Sequence, residues 1–307
     1  MRTHTSHLHI SDSPCVVALG CFDGVHKGHR AVILAAKERA RSLGLGLTVF
    51  TFAQPPKNFF APLSVPVITD VAHKLSLLDQ LGVDETVCVP LGEQIFSVSA
   101  ESFVTDILLG RLKARHVVCG YNYTFGANGA GTPELIRRVC ASRDIGVDVV
   151  PEYALDGTPV SSSIIRETVE NGDVARAALL LGRPFSLIST VVDGQHLARR
   201  LGFPTVNTVP ERGLLLPKRG VYVTAIRFDG EKRYGITNVG VRPTVDTNIL
   251  CAETHIFDFN GDLYGKEITV EFLHFLRDEV KFDSVDAMAE QVRRDIESAK
   301  EYIKGQE

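Results

Sequence analysis

Gly20-Cys21-Phe22-Asp23-Gly24-Val25-His26-Lys27-Gly28-His29 sets two histidines and three glycines between an apolar run at 15–19 (CVVAL) and a helical pattern over 31–42 that Gly44 stops. A short, wholly apolar run is what an interior strand of a parallel sheet requires. A second such run at 45–52 completes a strand-helix-strand unit. In that unit the turn after the first strand lies at the carboxyl edge of the sheet, where free N–H groups of the helix's first turn favour an anion. Phosphate is the natural candidate. The chain has no G-x-G-x-x-G in this turn and no G-x-x-x-x-G-K-[ST] anywhere, which counts against nicotinamide dehydrogenases and P-loop kinases. What remains is an H-x-G-H turn whose imidazoles can face one phosphate group while Gly24 and Gly28 let the backbone come close. Two other readings stay open on these residues: a metal site of Asp23, His26 and His29, and a purely structural turn.

The chain of 307 residues is long for one core, so two domains are expected. The net charge of -4 and a pI near 6.2 speak against bulk nucleic-acid binding, leaving small anions held by local clusters. No apolar run approaches the roughly 18 residues of a membrane span, and residues 1–14 lack the apolar core of a signal peptide. The six cysteines include no C-x-x-C pair and suit buried thiols in a reducing cytoplasm.

Texture divides the chain near residue 184. Before it, short apolar strands at 85–89, 116–119 and 147–150 alternate with helices at 72–81 and 133–142, as in a doubly wound α/β layer. After it come strands and hairpins: 221–228 turning at Asp229-Gly230 into 233–239, and 253–259 turning at Asn260-Gly261 into 267–272. These predict an antiparallel sheet or small barrel. Val285, Met288, Val292 and Ile296 recur at helical spacing over 284–303, predicting an amphipathic helix that caps it.

The opening segment resembles the H-x-G-H nucleotidyltransferases, and above all the G-x-F-D-G-V-H-x-G-H of bacterial bifunctional riboflavin kinase/FAD synthetases. The resemblance continues in the family's order through Lys74-Leu75-Ser76-Leu77-Leu78, Leu81-Gly82-Val83-Asp84, Val160-Ser161-Ser162-Ser163-Ile164-Ile165-Arg166 and Leu180-Leu181-Gly182-Arg183-Pro184. It extends through Leu201-Gly202-Phe203-Pro204-Thr205-Val206-Asn207, Asn238-Val239-Gly240-Val241-Arg242-Pro243-Thr244 and Asp262-Leu263-Tyr264-Gly265-Lys266. It implies an α/β doubly wound nucleotidyltransferase-like domain at 1–184, joining FMN to the adenylyl group of ATP. A small antiparallel β-barrel domain with a C-terminal helix at 185–307 would phosphorylate riboflavin. ATP, riboflavin, FMN and FAD would be the small-molecule substrates and products and Mg²⁺ the cofactor, in a cytoplasmic enzyme without nucleic-acid or membrane partners.

The resemblance also distributes roles. FMN brings its own ionised phosphate oxygen as nucleophile, so the first domain needs donors for the departing pyrophosphate and no base. His26 and His29 would contact the triphosphate in a loop with Gly20, Phe22, Asp23, Gly24 and Gly28. Ser162, Ser163 and Arg166 would close over it, the serines reading otherwise as a helix N-cap, and Asn122 would border the flavin. Riboflavin's hydroxyl is a poor nucleophile and calls for a carboxylate and Mg²⁺. Glu253 would be that carboxylate, Thr205 and Asn207 would hold Mg²⁺ and phosphate, Asn238 and Arg242 would border the flavin with Thr244 lining the same site, and Arg242-Pro243 reads equally as a rigid structural corner. Gly194 and Arg199 would belong to a phosphate loop in which Ala198 replaces a glycine. Two segments depart from the family. Thr51-Phe52-Ala53-Gln54-Pro55-Pro56 lacks the usual acid and histidine, and Gly120-Tyr121-Asn122-Tyr123-Thr124-Phe125-Gly126 has Asn122 for an acid and Thr124 for an arginine. Two readings follow: a bifunctional enzyme, or a riboflavin kinase with a weak or regulatory first domain.

Overall fold

β2 (Cys15–Leu19) is buried at all five positions because both faces of its sheet are covered. Val16 and Ala18 pack with Val32, Ile33 and Ala36 of the helix Lys27–Leu43, while Cys15, Val17 and Leu19 meet Ile136, Val139 and Cys140 of the helix Pro133–Ala141. In the computed structural model, residues 1–193, 203–243 and 248–306 are described, the backbone alone at 241–243 and 248–250. The chain divides into two compact units, Met1–Ser162 and Ser163–Glu307.

In the first unit β2 lies between β3 (Gly46–Phe52) and β5 (Ala114–Gly120), with β4 (Glu85–Val89) beyond β3 and β6 (Gly146–Val150) beyond β5. All these pairings are parallel, and β1 (Arg2–His4) adds a further parallel edge beside β4. The chain winds outward from β2 to β4 and then returns to β5 on the other side. The gap between the carboxyl ends of β2 and β5 is thus a topological switch point, where open α/β sheets receive ligands. The helix expected from residue 31 begins at Lys27, because His26 caps it and brings the H-x-G-H histidines onto its first turn. It ends at Gly44, whose left-handed φ of 64° an L side chain would disfavour. A two-stranded ribbon, β7 (Ala154–Leu155) and β8 (Thr158–Pro159), follows the sheet.

The second unit is a closed antiparallel barrel in the order β10-β13-β12-β11-β14-β9. Its strands are β9 (Phe185–Val192), β10 (Thr205–Thr208), β11 (Gly220–Phe228), β12 (Glu231–Pro243), β13 (Asn248–Ile256) and β14 (Glu267–Arg277). Inside, the hydroxyls of Thr224, Thr237 and Thr254 hydrogen-bond in a row at 2.8 and 2.9 Å, which satisfies three buried polar groups at once. On the outer face Val221, Val223 and Ile236 pack with Val292, Ile296 and Ala299 of the helix Val285–Lys304. Val174, Ala177, Leu180 and Leu181 make the buried side of the helix Val174–Leu181, which lies on β9 and β14.

The Asp229-Gly230 hairpin joins β11 to β12 as expected, with Phe228 opposite Glu231. The hairpin expected at Asn260-Gly261 does not form. β13 pairs with β10 and β12, and β14 pairs with β11 and β9, so 257–266 is a crossing connection. Buried Phe257 and Leu263 fix that connection to the barrel. No helix among the described residues is long and apolar enough to cross a membrane.

Candidate active sites

A cavity of about 350 Å³ occupies the switch point, lined from the end of β2 by Leu19 to Phe22 and from the end of β5 by Gly120 to Thr124. His26, Gly28 and His29 form its floor, and Val160 to Ser162 its rim. His26 is the N-cap residue: its Nδ1 accepts the N–H of His29 at 3.2 Å. An accepting Nδ1 leaves the ring proton on Nε2, so a neutral His26 presents a donor. The two imidazoles stack 3.5 Å apart at 17°, and Phe22 braces His29 edge-on at 5.3 Å. Gly28 stands where a Cβ would meet the Val160 carbonyl oxygen at 3.1 Å, a tight contact that glycine avoids where the rim closes on the turn. Phe22 and Val25 both hold positive φ, 50° and 39°. For a β-branched valine this is a strained state, of a kind concentrated at functional turns.

Asp23, expected among the nucleotide contacts, does not line this cavity. Its carboxylate is 1% exposed and accepts the backbone N–H groups of Ile68, at 3.0 and 3.2 Å, and of Thr69, at 3.2 Å. Gly24 lies off the cavity too; its N–H donates to Thr69 Oγ1, and a Cβ there would strike Ile68 Cγ2 at 2.9 Å. Both residues lock the turn to residues 68–69. The ligand atoms of Asp23, His26 and His29 are not gathered into one metal-sized group. Ser162 Oγ donates to the Asp23 carbonyl at 3.1 Å, tying the rim to the same turn. Ser163 and Arg166 belong to the helix Ser162–Glu170 and fall in the second unit.

The segments that depart from the family border this cavity. Phe52 and Pro56 reach its wall, and the buried ammonium of Lys74 donates to the Phe52 carbonyl at 2.5 Å, fixing the end of β3. Asn122 faces the cavity beside Tyr121, Tyr123 and Tyr153, an aromatic wall the sequence reading missed although tyrosines flank Asn122 at a strand end. Tyr121 donates its hydroxyl to Glu152, which raises its pKa, and burial raises that of Tyr123. Glu152 also lines the cavity, so a carboxylate stands on this wall at another position.

In the barrel, register gathers the candidate residues. Glu253 on β13 lies opposite Asn207 on β10 and Asn238 on β12, so the three share one face of the sheet. Thr205, opposite His255, shares it as well. Glu253, Asn238 and Thr205 line a cavity of about 260 Å³ with Phe203, Phe282, Met288 and Val292. Arg277 crosses its wall in a bidentate pair with the buried Asp295, at 2.9 and 2.7 Å. His255 is fixed by the Pro204 carbonyl at 2.9 Å. Neither group was singled out from sequence. Asn207 does not line this cavity; it is 5% exposed, and its Oδ1 has no hydrogen-bond partner among the described residues. Thr205 also lines a second cavity, of about 510 Å³, against residues 259–264. Gly194, Arg199 and Thr244 lie outside the described residues, and Arg242 is placed only by its backbone, opposite Ile249.

Two family models cover the chain: FAD synthetase matches residues 9–164 and riboflavin kinase residues 181–303. A bifunctional riboflavin kinase/FMN adenylyltransferase from Pseudomonas fluorescens is 36% identical over 93% of this chain and 92% of its own length. Its namesake from Escherichia coli K12 is 34% identical over 94% and 93%, and that from Bacillus subtilis 33% over 98% and 96%. A solved structure from Streptococcus pneumoniae described as a macrolide-efflux protein is 33% identical, covers 95% of this chain and 96% of its own, and superposes with a TM-score of 0.87. With both family models in order and relatives matched nearly end to end, the chain belongs to the bifunctional riboflavin kinase/FMN adenylyltransferase family.

Proposed function

We propose that this enzyme makes FAD from riboflavin in two ATP-consuming steps, phosphorylation to FMN at the barrel and adenylyl transfer to FMN at the α/β sheet. The observation that carries the reading is that one chain holds two separate cavities, each lined by groups suited to a different phosphate reaction. The functional domains are assigned to 1–184 and 185–307, and the cytoplasm is the proposed compartment, consistent with six cysteines in no disulfide.

At the sheet, an FMN phosphate oxygen attacks the α-phosphorus of ATP, and negative charge grows on the departing pyrophosphate. The Nε2–H of His26, the His29 ring and the first-turn N–H groups of the helix Lys27–Leu43 stabilise that charge, fixed in place before reaction. Ser162 belongs to the rim of this site, Gly20, Phe22 and Gly28 shape the turn, and the phosphate roles of Ser163 and Arg166 are assigned from the family pattern alone. Asn122 with its flanking tyrosines suits the flavin ring, by stacking and one amide contact.

At the barrel, Glu253 orients the riboflavin hydroxyl and takes its proton as the γ-phosphoryl group of ATP transfers. Phe203, Met288 and Val292 make its cavity apolar enough for a flavin, with Asn238 as a polar contact, while the cavity at 259–264 is left for ATP. Thr205 borders both, where a phosphoryl group would cross. The residues fit Mg²⁺: Asn207 Oδ1 is a buried oxygen without a protein partner among the described residues, and the Thr205 hydroxyl lies two residues away on the same face. Bound there, Mg²⁺ would neutralise the phosphate charge. Arg242, Gly194 and Arg199 are assigned to this site from the family pattern. The test is Glu253→Gln, expected to lower FMN formation from riboflavin by about 10² or more while FMN-to-FAD conversion persists; loss of both in a folded protein refutes separate sites.

A further inference from the structure

His4, His9 and Glu85 lie at the outer edge of the α/β sheet, where β1 pairs with the start of β4, and none of them lines a cavity assigned to either reaction. β1 pairs in parallel with β4, Arg2 opposite Glu85, which brings the N-terminal segment over the Glu85 carboxylate. The rings of His4 and His9 stack 3.5 Å apart at 11°. Both Nε2 atoms stand 3.1 Å from the same oxygen, Glu85 Oε1. The three ligand atoms lie within 4.8 Å of one another, the only such trio among the described residues. We propose that His4 Nε2, His9 Nε2 and Glu85 Oε1 form a site for a divalent transition-metal ion of the Zn²⁺ type, which ties the N-terminal segment to the sheet.

Glu85 is built as a ligand. It is 3% exposed, and its other oxygen, Oε2, accepts the hydroxyls of Ser11 at 2.8 Å and Thr48 at 3.2 Å, leaving Oε1 turned to the imidazoles. Such outer hydrogen bonds orient a metal-binding carboxylate. Spacing agrees: tetrahedral ligands about 2.0 to 2.1 Å from zinc stand about 3.3 Å apart, near the 3.1 Å seen to each nitrogen. The stacked rings must tilt apart for both in-plane Nε2 lone pairs to point at one ion. Two imidazoles and one carboxylate suit Zn²⁺ and its neighbours rather than Mg²⁺, which prefers oxygen alone. A shallow, open hollow of about 410 Å³ lined by Thr3, His4, Thr5, Ser6, Leu8 and His9 exposes the two imidazoles to solvent. The Arg2 guanidinium, 3.7 Å from Glu85, is exposed and bonded to Asp12 at 2.8 Å, so it can move outward with that partner.

The test is calorimetric titration of ZnCl2 into chelator-stripped full-length protein, with Co²⁺ absorption as a report on geometry. One saturable equivalent with micromolar or tighter affinity, tetrahedral-type Co²⁺ bands and a rise in Tm are expected. His4→Ala/His9→Ala should weaken binding about 100-fold and abolish the bands while FAD synthesis continues. If the alanine pair misfolds, His4→Gln/His9→Gln keeps polar side chains at both positions and should give the same loss. No saturable equivalent in the parent protein, or equal affinity in a folded double variant, overturns the site.

Discussion

His26 does two jobs with two nitrogens. Nδ1 caps the helix Lys27–Leu43 by accepting the His29 N–H, and that same bond leaves the proton on Nε2 for a phosphate. His29 stacks on it without that capping duty, so it is the cleaner residue to remove. His29→Ala should lower adenylyl transfer by about 10² or more with little change in riboflavin phosphorylation, measured as initial rates on FMN and on riboflavin; an unchanged adenylyl rate removes the imidazole from the mechanism. That both histidines stand at a strand-to-helix turn was legible in sequence, from the apolar run before them and the helical pattern after them. The anchoring of Asp23 was not. A carboxylate inside a phosphate turn reads as a ligand, and only the fold shows it accepting amides from residues 45 and 46 positions away.

The turn from β2 into its helix is held by contacts outside itself. Positive φ at Phe22, Gly24 and Val25 is sustained by the Asp23 carboxylate on Ile68 and Thr69 and by the seat of Gly24 against Ile68. Asp23→Ala leaves two buried backbone N–H groups without their acceptor and should cost about 2 kcal/mol or more in urea unfolding. If Asp23 instead contacted nucleotide, Asp23→Asn would raise KM for ATP with stability unchanged. The interior strands β2 to β5 were legible as short, largely apolar runs, since burial on both faces favours apolar residues, and the edge strand β6 by the valines of its GVDVV run. β1 was not, being three polar residues on an edge, nor was the pairing of β14, because Asn260-Gly261 reads as a tight hairpin yet sits in a connection fixed by Phe257 and Leu263. Local turn chemistry cannot say which strand comes next in a closed barrel.

Across the whole molecule the division into an α/β unit and a barrel was visible in the change from alternating helices to hairpins. The juxtaposition of Glu253, Asn207 and Asn238 was not legible from local pattern, since they become neighbours through register alone. Stability carries a pH signature as well. Burial pushes the thiols of Cys15 and Cys119 from the ordinary 9.0 up to about 11. Folded, they keep their protons across that window; unfolded, they release them, so stability from these groups is full below about pH 9 and falls as pH rises to about 11. Urea midpoints should drop between those values, and less in Cys15→Ala/Cys119→Ala; an equal drop assigns the alkaline loss to other groups. The functional claim, two working sites in one chain, rests on product chemistry. A chromatographic time course with purified protein, ATP and Mg²⁺, run separately on riboflavin and on FMN, should yield FAD from both substrates, with FMN appearing first from riboflavin. FMN accumulating from riboflavin with no FAD from either would contradict it and leave a kinase beside a silent α/β unit.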